Sequence, residues 1–160
     1  MGAELYIESI FNDAYRRWAP IFERLVIVRD RAISRGEDAE EIQLQIRKVY
    51  NRMYPRSGYF CDNYNGTCLL WRLGLSWWED VDPLVKDGYL YTNEIRKLIC
   101  MVKKAKWIDL NEYVKEYSLQ IDDKDNSPDA WEIYFLGKKR HLLSLLNRAL
   151  RIGEPILVSI

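Results

Sequence analysis

Cysteine, histidine and net charge are all scarce in this sequence of 160 residues. It contains three cysteines and one histidine, and its 24 basic side chains are balanced by 24 acidic ones. Three irregularly spaced cysteines do not make a disulfide framework, so we expect free thiols. Zero net charge provides no global attraction to nucleic acid, which therefore starts as a disfavoured partner.

Long apolar runs and targeting signals are also missing. No apolar run approaches the ~18 residues that a membrane-spanning helix needs. The first residues have neither the basic start nor the apolar core of a signal peptide. The sequence therefore predicts a cytoplasmic protein that does not use a membrane as a partner.

The sequence also lacks the motifs of metal and cofactor sites. Cys61 and Cys68 are too far apart for a zinc-binding pair, and His141 is the only imidazole. The glycines are isolated and form neither a dinucleotide fingerprint nor a phosphate-binding loop. We predict no metal and no cofactor, and we recognise no protein family in the sequence.

The remaining composition is typical of a globular protein, with 48% apolar and 30% charged residues. A chain of this length fits one domain, because most domains have roughly 100 to 150 residues. No linker, repeat or low-complexity tract separates two halves. We therefore predict a single globular domain over residues 1–160.

Helical periodicity of apolar residues covers most of the chain. We predict helices over residues 12–36, with a bend or start near Pro20, and over 37–55, followed by a loop from 57 to 66. Further helices are expected from Thr67, which would act as a cap, and from Ser76, where Ser76-Trp-Trp-Glu79 has the spacing of a capping box. Others are expected over 93–106 and 109–117, and from Ser127-Pro128 to Gly153. This pattern predicts a mainly α, compact domain of five to seven helices.

The two ends of the chain have strand-like composition. Residues 4–10 mix alternation with β-favouring side chains, which predicts a short strand with a helix as the alternative, and residues 155–160 have β-like composition. The two terminal segments are therefore expected to pair as a small two-stranded sheet.

Aromatic and acidic residues are concentrated in one irregular segment, from Tyr59 to Tyr91, which contains 8 of the 21 aromatic residues. Aromatic faces beside carboxylates are typical of a ligand pocket or a protein-contact surface. The alternative is that these rings only pack an irregular part of the core. The candidate binding residues are Tyr59, Asp62, Tyr64, Trp77, Trp78, Glu79, Asp80 and Arg29.

Two basic residues, Arg29 and Lys138, fall on the apolar stripes of the first and last long helices. A buried cation is costly unless it is paired, so acids such as Asp62, Glu79 and Asp80 are candidate partners. The alternative is that each stem packs on the core while its charged head reaches solvent.

Charge is unevenly distributed along the chain although the total is zero. Residues 96–106 and 138–151 are basic, whereas residues 107–132 are acidic. This pattern predicts helix faces in solvent, with the added possibility that complementary charge attracts a partner.

We expect a non-enzymatic binding or protein-interaction domain that uses the aromatic and acidic surface around residues 59–82. Its partner would be a protein or a small molecule. The first alternative is a small hydrolase with a carboxylate site at Asp62, Glu79 and Asp80. The second alternative is nucleic-acid binding through the basic helix 96–106.

Overall fold

The computed structural model describes residues 2–122 and 125–160, so Asp123 and Lys124 of the acidic segment lie outside it. The described residues form six α-helices and a small sheet, which confirms the predicted mainly α fold. The helices are α1 (Glu8–Ser34), α2 (Glu40–Met53), α3 (Leu69–Arg72), α4 (Thr92–Lys104), α5 (Leu110–Tyr117) and α6 (Pro128–Ile152). The strands are β1 (Gly2–Tyr6), β2 (Tyr59–Asn63), β3 (Tyr89–Leu90) and β4 (Ile156–Ser159).

Contacts divide the chain into two compact units. The hairpin unit is Glu8–Tyr59, and the sheet unit contains the chain up to Ile7 and from Phe60 onward. The single domain over residues 1–160 therefore stays a prediction. We describe the two units separately.

In the hairpin unit, α1 begins at Glu8 and continues through Pro20 without a break. The predicted strand over residues 4–10 is therefore wrong beyond Tyr6, and the helix starts earlier than Asn12. Proline removes one helical hydrogen bond, which leaves the carbonyl of Arg16 without its donor. Arg16 and Pro20 are both exposed, so water can hydrate that carbonyl and the helix continues.

The hairpin is held together by the side of α1 that faces α2. Ala19 of α1 and Val49 and Met53 of α2 are buried together. Larger side chains of both segments pack against this cluster, namely Trp18, Phe22, Leu25 and Tyr54. These contacts cover one side of α1 only, since several apolar side chains elsewhere on the helix are exposed.

In the sheet unit, the two ends of the chain pair as predicted. β1 and β4 are antiparallel, with Glu4 opposite Ser159 and Tyr6 opposite Leu157. The sheet has four strands in the order β2-β1-β4-β3, rather than the predicted two. The two additional strands are short and lie outside the terminal segments.

Strand β2 lies where the sequence predicted a loop, which corrects that prediction. Its side chains alternate, so that Phe60 and Asp62 are buried while Cys61 and Asn63 are more accessible. Burial of a carboxylate hides the apolar alternation by which a strand is recognised. The strand is formed by pairing with β1, a contact between distant parts of the chain.

Helix α6 begins and ends where the sequence predicted. Ser127 accepts a hydrogen bond from the backbone N–H of Ala130, and Pro128 occupies the first turn. Gly153 ends the helix at φ +74°, a left-handed conformation that glycine adopts without strain. The buried residues of α6 include Phe135, Leu142, Leu145, Leu146 and Ala149.

We expect Ser127→Ala to lower the free energy of unfolding by about 1 kcal/mol, because it removes the acceptor for an N-terminal N–H of α6. Urea unfolding followed by circular dichroism measures the change. Ser144→Ala, in the exposed middle of the same helix, is the matched control and should change stability by less than about 0.5 kcal/mol. Equal effects of the two substitutions would contradict the assigned cap.

Candidate functional site

The carboxylate of Asp62 lies at the centre of a buried hydrogen-bond network in the sheet unit. Its side chain is 0% exposed and accepts from the backbone N–H groups of Leu69 at 2.7 Å and Leu70 at 3.1 Å. The indole N–H of Trp77 donates at 2.8 Å, and the thiol of Cys68 at 3.3 Å. Asp62 therefore caps α3 from a neighbouring strand, in place of the predicted cap at Thr67.

Lys138 provides the positive charge that pairs with this carboxylate. Its ammonium Nζ lies 2.7 Å from the Asp62 carboxylate and donates to the backbone carbonyl of Thr67 at 2.9 Å. Burial alone would lower the pKa of Lys138, but the Asp62 carboxylate and, as a smaller contribution, Tyr134 together outweigh burial and hold that pKa above its usual value. The prediction that Lys138 takes an acidic partner such as Asp62 is confirmed.

The network places Asp62 and Trp77 in the interior rather than on a surface. Both polar groups are used within the protein, since the indole N–H of Trp77 is bound to the carboxylate of Asp62. A ligand could reach these two predicted binding residues only by opening the core.

Trp77 is the first residue of a π-helical turn that continues to Val81, and its indole is buried. Ser76 accepts from the N–H of Glu79 at 3.3 Å, as the predicted capping box requires. The reciprocal bond differs, because the N–H of Ser76 donates to Asp80 at 2.7 Å rather than to Glu79. Asp80 takes this role in the widened turn, in which Asp82 donates its backbone N–H to the carbonyl of Trp77, five residues earlier.

Because Asp80 takes the N–H of Ser76, the Glu79 side chain stays exposed. Its carboxylate forms no salt bridge or hydrogen bond with any residue in 2–122 and 125–160. Adjacent Trp78 is 50% exposed and packs against Tyr64, with ring centroids 4.5 Å apart. Trp77 and Trp78 thus have different environments, one in the core and one at the surface.

A groove of about 350 Å³ opens beside the π-helical turn. One wall is the stacked pair of Trp71 and Tyr117, whose ring centroids are 4.9 Å apart at an interplanar angle of 23°. Glu79 and Asp80 provide carboxylates on the lining. We call this the Glu79 groove; its lining is Trp71, Gly74, Leu75, Ser76, Glu79, Asp80, Ile108 and Tyr117.

Local bonds fix the shape of the Glu79 groove. Gly74 lies at φ +65° directly after α3 and turns the chain toward Ser76. The N–H of Ile108 donates to the carbonyl of Arg72 at 3.0 Å, which attaches the segment before α5 to α3. The rim of the groove therefore comes from three segments that are separate in sequence.

Arg72, next to Trp71, is a buried cation that the sequence analysis did not single out. It is 2% exposed, and its Nη2 donates to Glu132 at 2.6 Å. Its guanidinium carbon lies 5.4 Å from the ring centre of Trp107, and 5.9 and 5.7 Å from those of Tyr113 and Phe135. Aromatic faces attract such a cation, so Arg72 binds α3 to α5 and α6.

The other candidate residues do not line the Glu79 groove. Tyr59 belongs to the hairpin unit, where its ring lies 4.9 Å from that of Tyr54. Arg29 belongs to the same unit and donates to Asp30 at 2.7 Å and to Gln43 at 3.4 Å. The structure thus brings Glu79 and Asp80 together with aromatic rings, whereas Arg29 pairs with its sequence neighbour.

The basic segment predicted as a nucleic-acid site forms α4 and the residues directly after it. Arg96, Lys97, Lys103 and Lys104 are all exposed. Nucleic-acid binding through this helix stays a prediction.

The described residues contain no group of three or more histidine, cysteine, aspartate or glutamate side chains placed to hold a metal ion. Within the same residues, no helix combines the length and the apolar character needed to cross a membrane. The chain matches no protein-family model, no curated protein sequence and no solved structure.

Proposed function

We propose that this protein is an interaction domain that binds a basic side chain of a protein partner in the Glu79 groove. The observation that carries the proposal is the exposed carboxylate of Glu79, which pairs with none of the described residues and lines the groove together with the stacked rings of Trp71 and Tyr117. A lysine or arginine head attracts both a carboxylate and an aromatic face. This proposal retains the predicted acidic and aromatic surface and narrows it to one groove.

The local backbone supports this assignment. The single π-helical turn directs the Asp80 carboxylate to the N–H of Ser76 and leaves that of Glu79 available. Such turns often occur at functional sites. A groove lined by two carboxylates favours a cation over an anionic or purely apolar ligand.

The hydrolase hypothesis stays a prediction, with two of its three carboxylates accessible. Asp62 is enclosed by its internal hydrogen bonds, which leaves Glu79 and Asp80 as the accessible carboxylates of the proposed set. We favour binding because the pair of carboxylates lies on an open groove next to stacked rings, an arrangement suited to holding a cation.

The test uses N-acetyl-arginine amide as the probe and the neutral N-acetyl-citrulline amide as its control. We expect the arginine probe to shift the NMR signals of the Trp71 indole N–H and the Gly74 amide, with a dissociation constant of roughly millimolar order. Glu79→Gln should weaken binding about fivefold, or about 1 kcal/mol, because it removes the charge while keeping the size.

Asp82→Asn is the matched control variant, because it removes one exposed carboxylate from the next turn without altering the groove lining. It should leave the affinity for the arginine probe unchanged. The proposal is wrong if the citrulline probe produces the same shifts, or if Glu79→Gln and Asp82→Asn weaken binding equally.

A further inference from the structure

Helix α1 has apolar side chains on a face that α2 does not cover. Ile21 is 43% exposed and Val28 is 45% exposed, and the two residues are seven positions apart. Residues seven apart lie on the same side of an α-helix, two turns from each other. Exposed apolar residues that form such a row, rather than occurring singly, are typical of a contact surface.

Two series of apolar residues at seven-residue intervals run side by side along α1. One series at seven-residue intervals faces the hairpin core and contains Trp18 and Leu25. The other series, three residues further along, contains Ile21 and Val28. Residues three apart are about 60° apart around an α-helix, so the second series lies beside the first on the helix surface. Helix α2 covers the first series, so the second is available for another helix.

A series of arginines lies beside the exposed apolar series, at the same seven-residue interval. Arg17 and Arg24 come four residues before Ile21 and Val28, Arg31 comes seven residues after Arg24, and all three arginines are exposed. Arg17 pairs with Asp13 at 3.2 Å on the surface, whereas Arg24 and Arg31 form no salt bridge with any residue in the described ranges. The apolar row therefore has a positively charged edge.

This charge pattern disfavours a second copy of the chain as the partner. In an antiparallel pair of α1 helices, the arginines of one helix would face those of the other. In a parallel pair they would face the opposite edge of the row, where Leu25 packs against the hairpin core and offers no carboxylate. Like charges across a helix interface are destabilising.

The charge pattern also differs from that of a helix lying on a membrane. Such helices keep a broad apolar face and a basic polar face. In α1, exposed arginines interrupt the apolar surface, because Arg24 and Arg31 lie between the exposed apolar row and exposed Ile27. Acidic residues, Glu23 and Asp30, occur in the same turns. Carboxylates at the surface repel anionic lipids.

We propose that the surface formed by Ile21, Arg24, Val28 and Arg31, here termed the α1 stripe, binds an acidic amphipathic helix of a partner protein. The partner helix places apolar residues against Ile21 and Val28 and carboxylates beside Arg24 and Arg31. Charged pairs along the edge of a helical contact select the partner and its orientation. The site lies in the hairpin unit and does not depend on the Glu79 groove.

The test uses two labelled helical peptides of 21 residues, alike in their leucines at intervals of three and four. One carries glutamates beside the leucines, and the other carries lysines at the same positions. Fluorescence anisotropy measures binding to the full chain, to Arg24→Glu/Arg31→Glu and to Arg47→Glu/Lys48→Glu. The last variant is the matched control, because it reverses two exposed charges on α2. Circular dichroism checks that each variant is folded.

We expect the natural chain to bind the glutamate peptide, and Arg24→Glu/Arg31→Glu to bind it at least about tenfold more weakly. The same variant should gain binding to the lysine peptide, and the α2 control should bind like the natural chain. Ile21→Ser/Val28→Ser should weaken binding to the glutamate peptide without reversing the preference for charge.

Three results would overturn the proposal. The first is no binding of the glutamate peptide, or binding that the reversal of Arg24 and Arg31 leaves unchanged. The second is a dimer in sedimentation equilibrium that Ile21→Ser/Val28→Ser dissociates, which would make a second copy the partner. The third is binding to phosphatidylserine vesicles that requires Arg24 and Arg31 while neither peptide binds.

Discussion

Asp62→Ala is expected to lower the free energy of unfolding by about 3–5 kcal/mol, because it leaves a buried ammonium without its counter-charge. Lys138 is 11% exposed, and its Nζ lies 2.7 Å from the carboxylate. The substitution also removes the acceptor for the N–H groups of Leu69 and Leu70 and for the indole N–H of Trp77. A buried donor without a partner adds its own desolvation penalty.

Asp109→Ala provides a matched control for this measurement. Asp109 also accepts from two backbone N–H groups at a helix start, at 2.9 and 3.3 Å, but it is exposed and caps α5. Its removal should cost about 1 kcal/mol, as for an ordinary cap. Urea unfolding at pH 7 measures both variants, and a loss for Asp62→Ala no larger than the loss for Asp109→Ala would contradict the buried network.

A double-mutant cycle separates the stabilisation by the Asp62–Lys138 ion pair from that by the other hydrogen bonds of Asp62. Lys138→Met alone leaves the carboxylate of Asp62 buried without its cation, and it should also be strongly destabilising. In the double variant Asp62→Ala/Lys138→Met no charge remains unpaired. We therefore expect it to be destabilised by less than the sum of the two single variants, by at least about 1 kcal/mol. Additive losses would show that the two charges do not interact.

The sequence predicted those parts of the fold that depend on neighbouring residues. Ser127-Pro128 and Gly153 defined α6 because a cap and a helix stop act within one turn. The strand at β2 was missed because it pairs with β1, and its buried Asp62 breaks the apolar alternation. The cap of α3 was assigned to Thr67, the neighbouring residue. The residue that caps α3, Asp62, lies on a strand several residues earlier, and no local sequence pattern identifies a capping carboxylate from another element.

The same distinction applies to the site. A basic residue on an apolar stripe was enough to predict that Lys138 needs an acid, and Asp62 was among the acids named. The environments of Trp77 and Trp78 could not be separated, because the extra residue of the π-helical turn changes which side faces the core. Tyr117 and Ile108 come to the Glu79 groove from distant segments, and no local spacing indicates this.

Alkaline pH is expected to destabilise the protein from about pH 9 upward. Burial and, as a smaller contribution, the nearby Asp62 carboxylate together raise the pKa of the Cys68 thiol from 9.0 to about 12. Burial likewise raises the pKa of Tyr64 from 10.0 to about 12. Between the pKa that each group has in the unfolded chain and its higher pKa in the folded chain, the folded chain keeps a proton that the unfolded chain releases. The stabilisation present at lower pH is therefore lost as pH rises through this range.

Each fully buried group of this kind lowers the free energy of unfolding by about 1.4 kcal/mol per pH unit between its unfolded and folded pKa values. Tyr64 contributes less than this, because its side chain is partly exposed. The pKa of Lys138 is also raised, so its pairing with Asp62 persists at the pH where the Cys68 thiol of the unfolded chain begins to release its proton. The first loss with rising pH is therefore assigned to the thiol.

Urea unfolding at pH 7, 9 and 10 tests this assignment with two cysteine variants. Cys68→Ala should be less stable at pH 7 but should lose less stability than the natural chain between pH 9 and 10. Cys100→Ala, which removes an exposed thiol, should follow the natural chain at every pH. If Cys68→Ala keeps the full alkaline loss, the proton held in the folded state belongs to another group and Cys68 does not control the response.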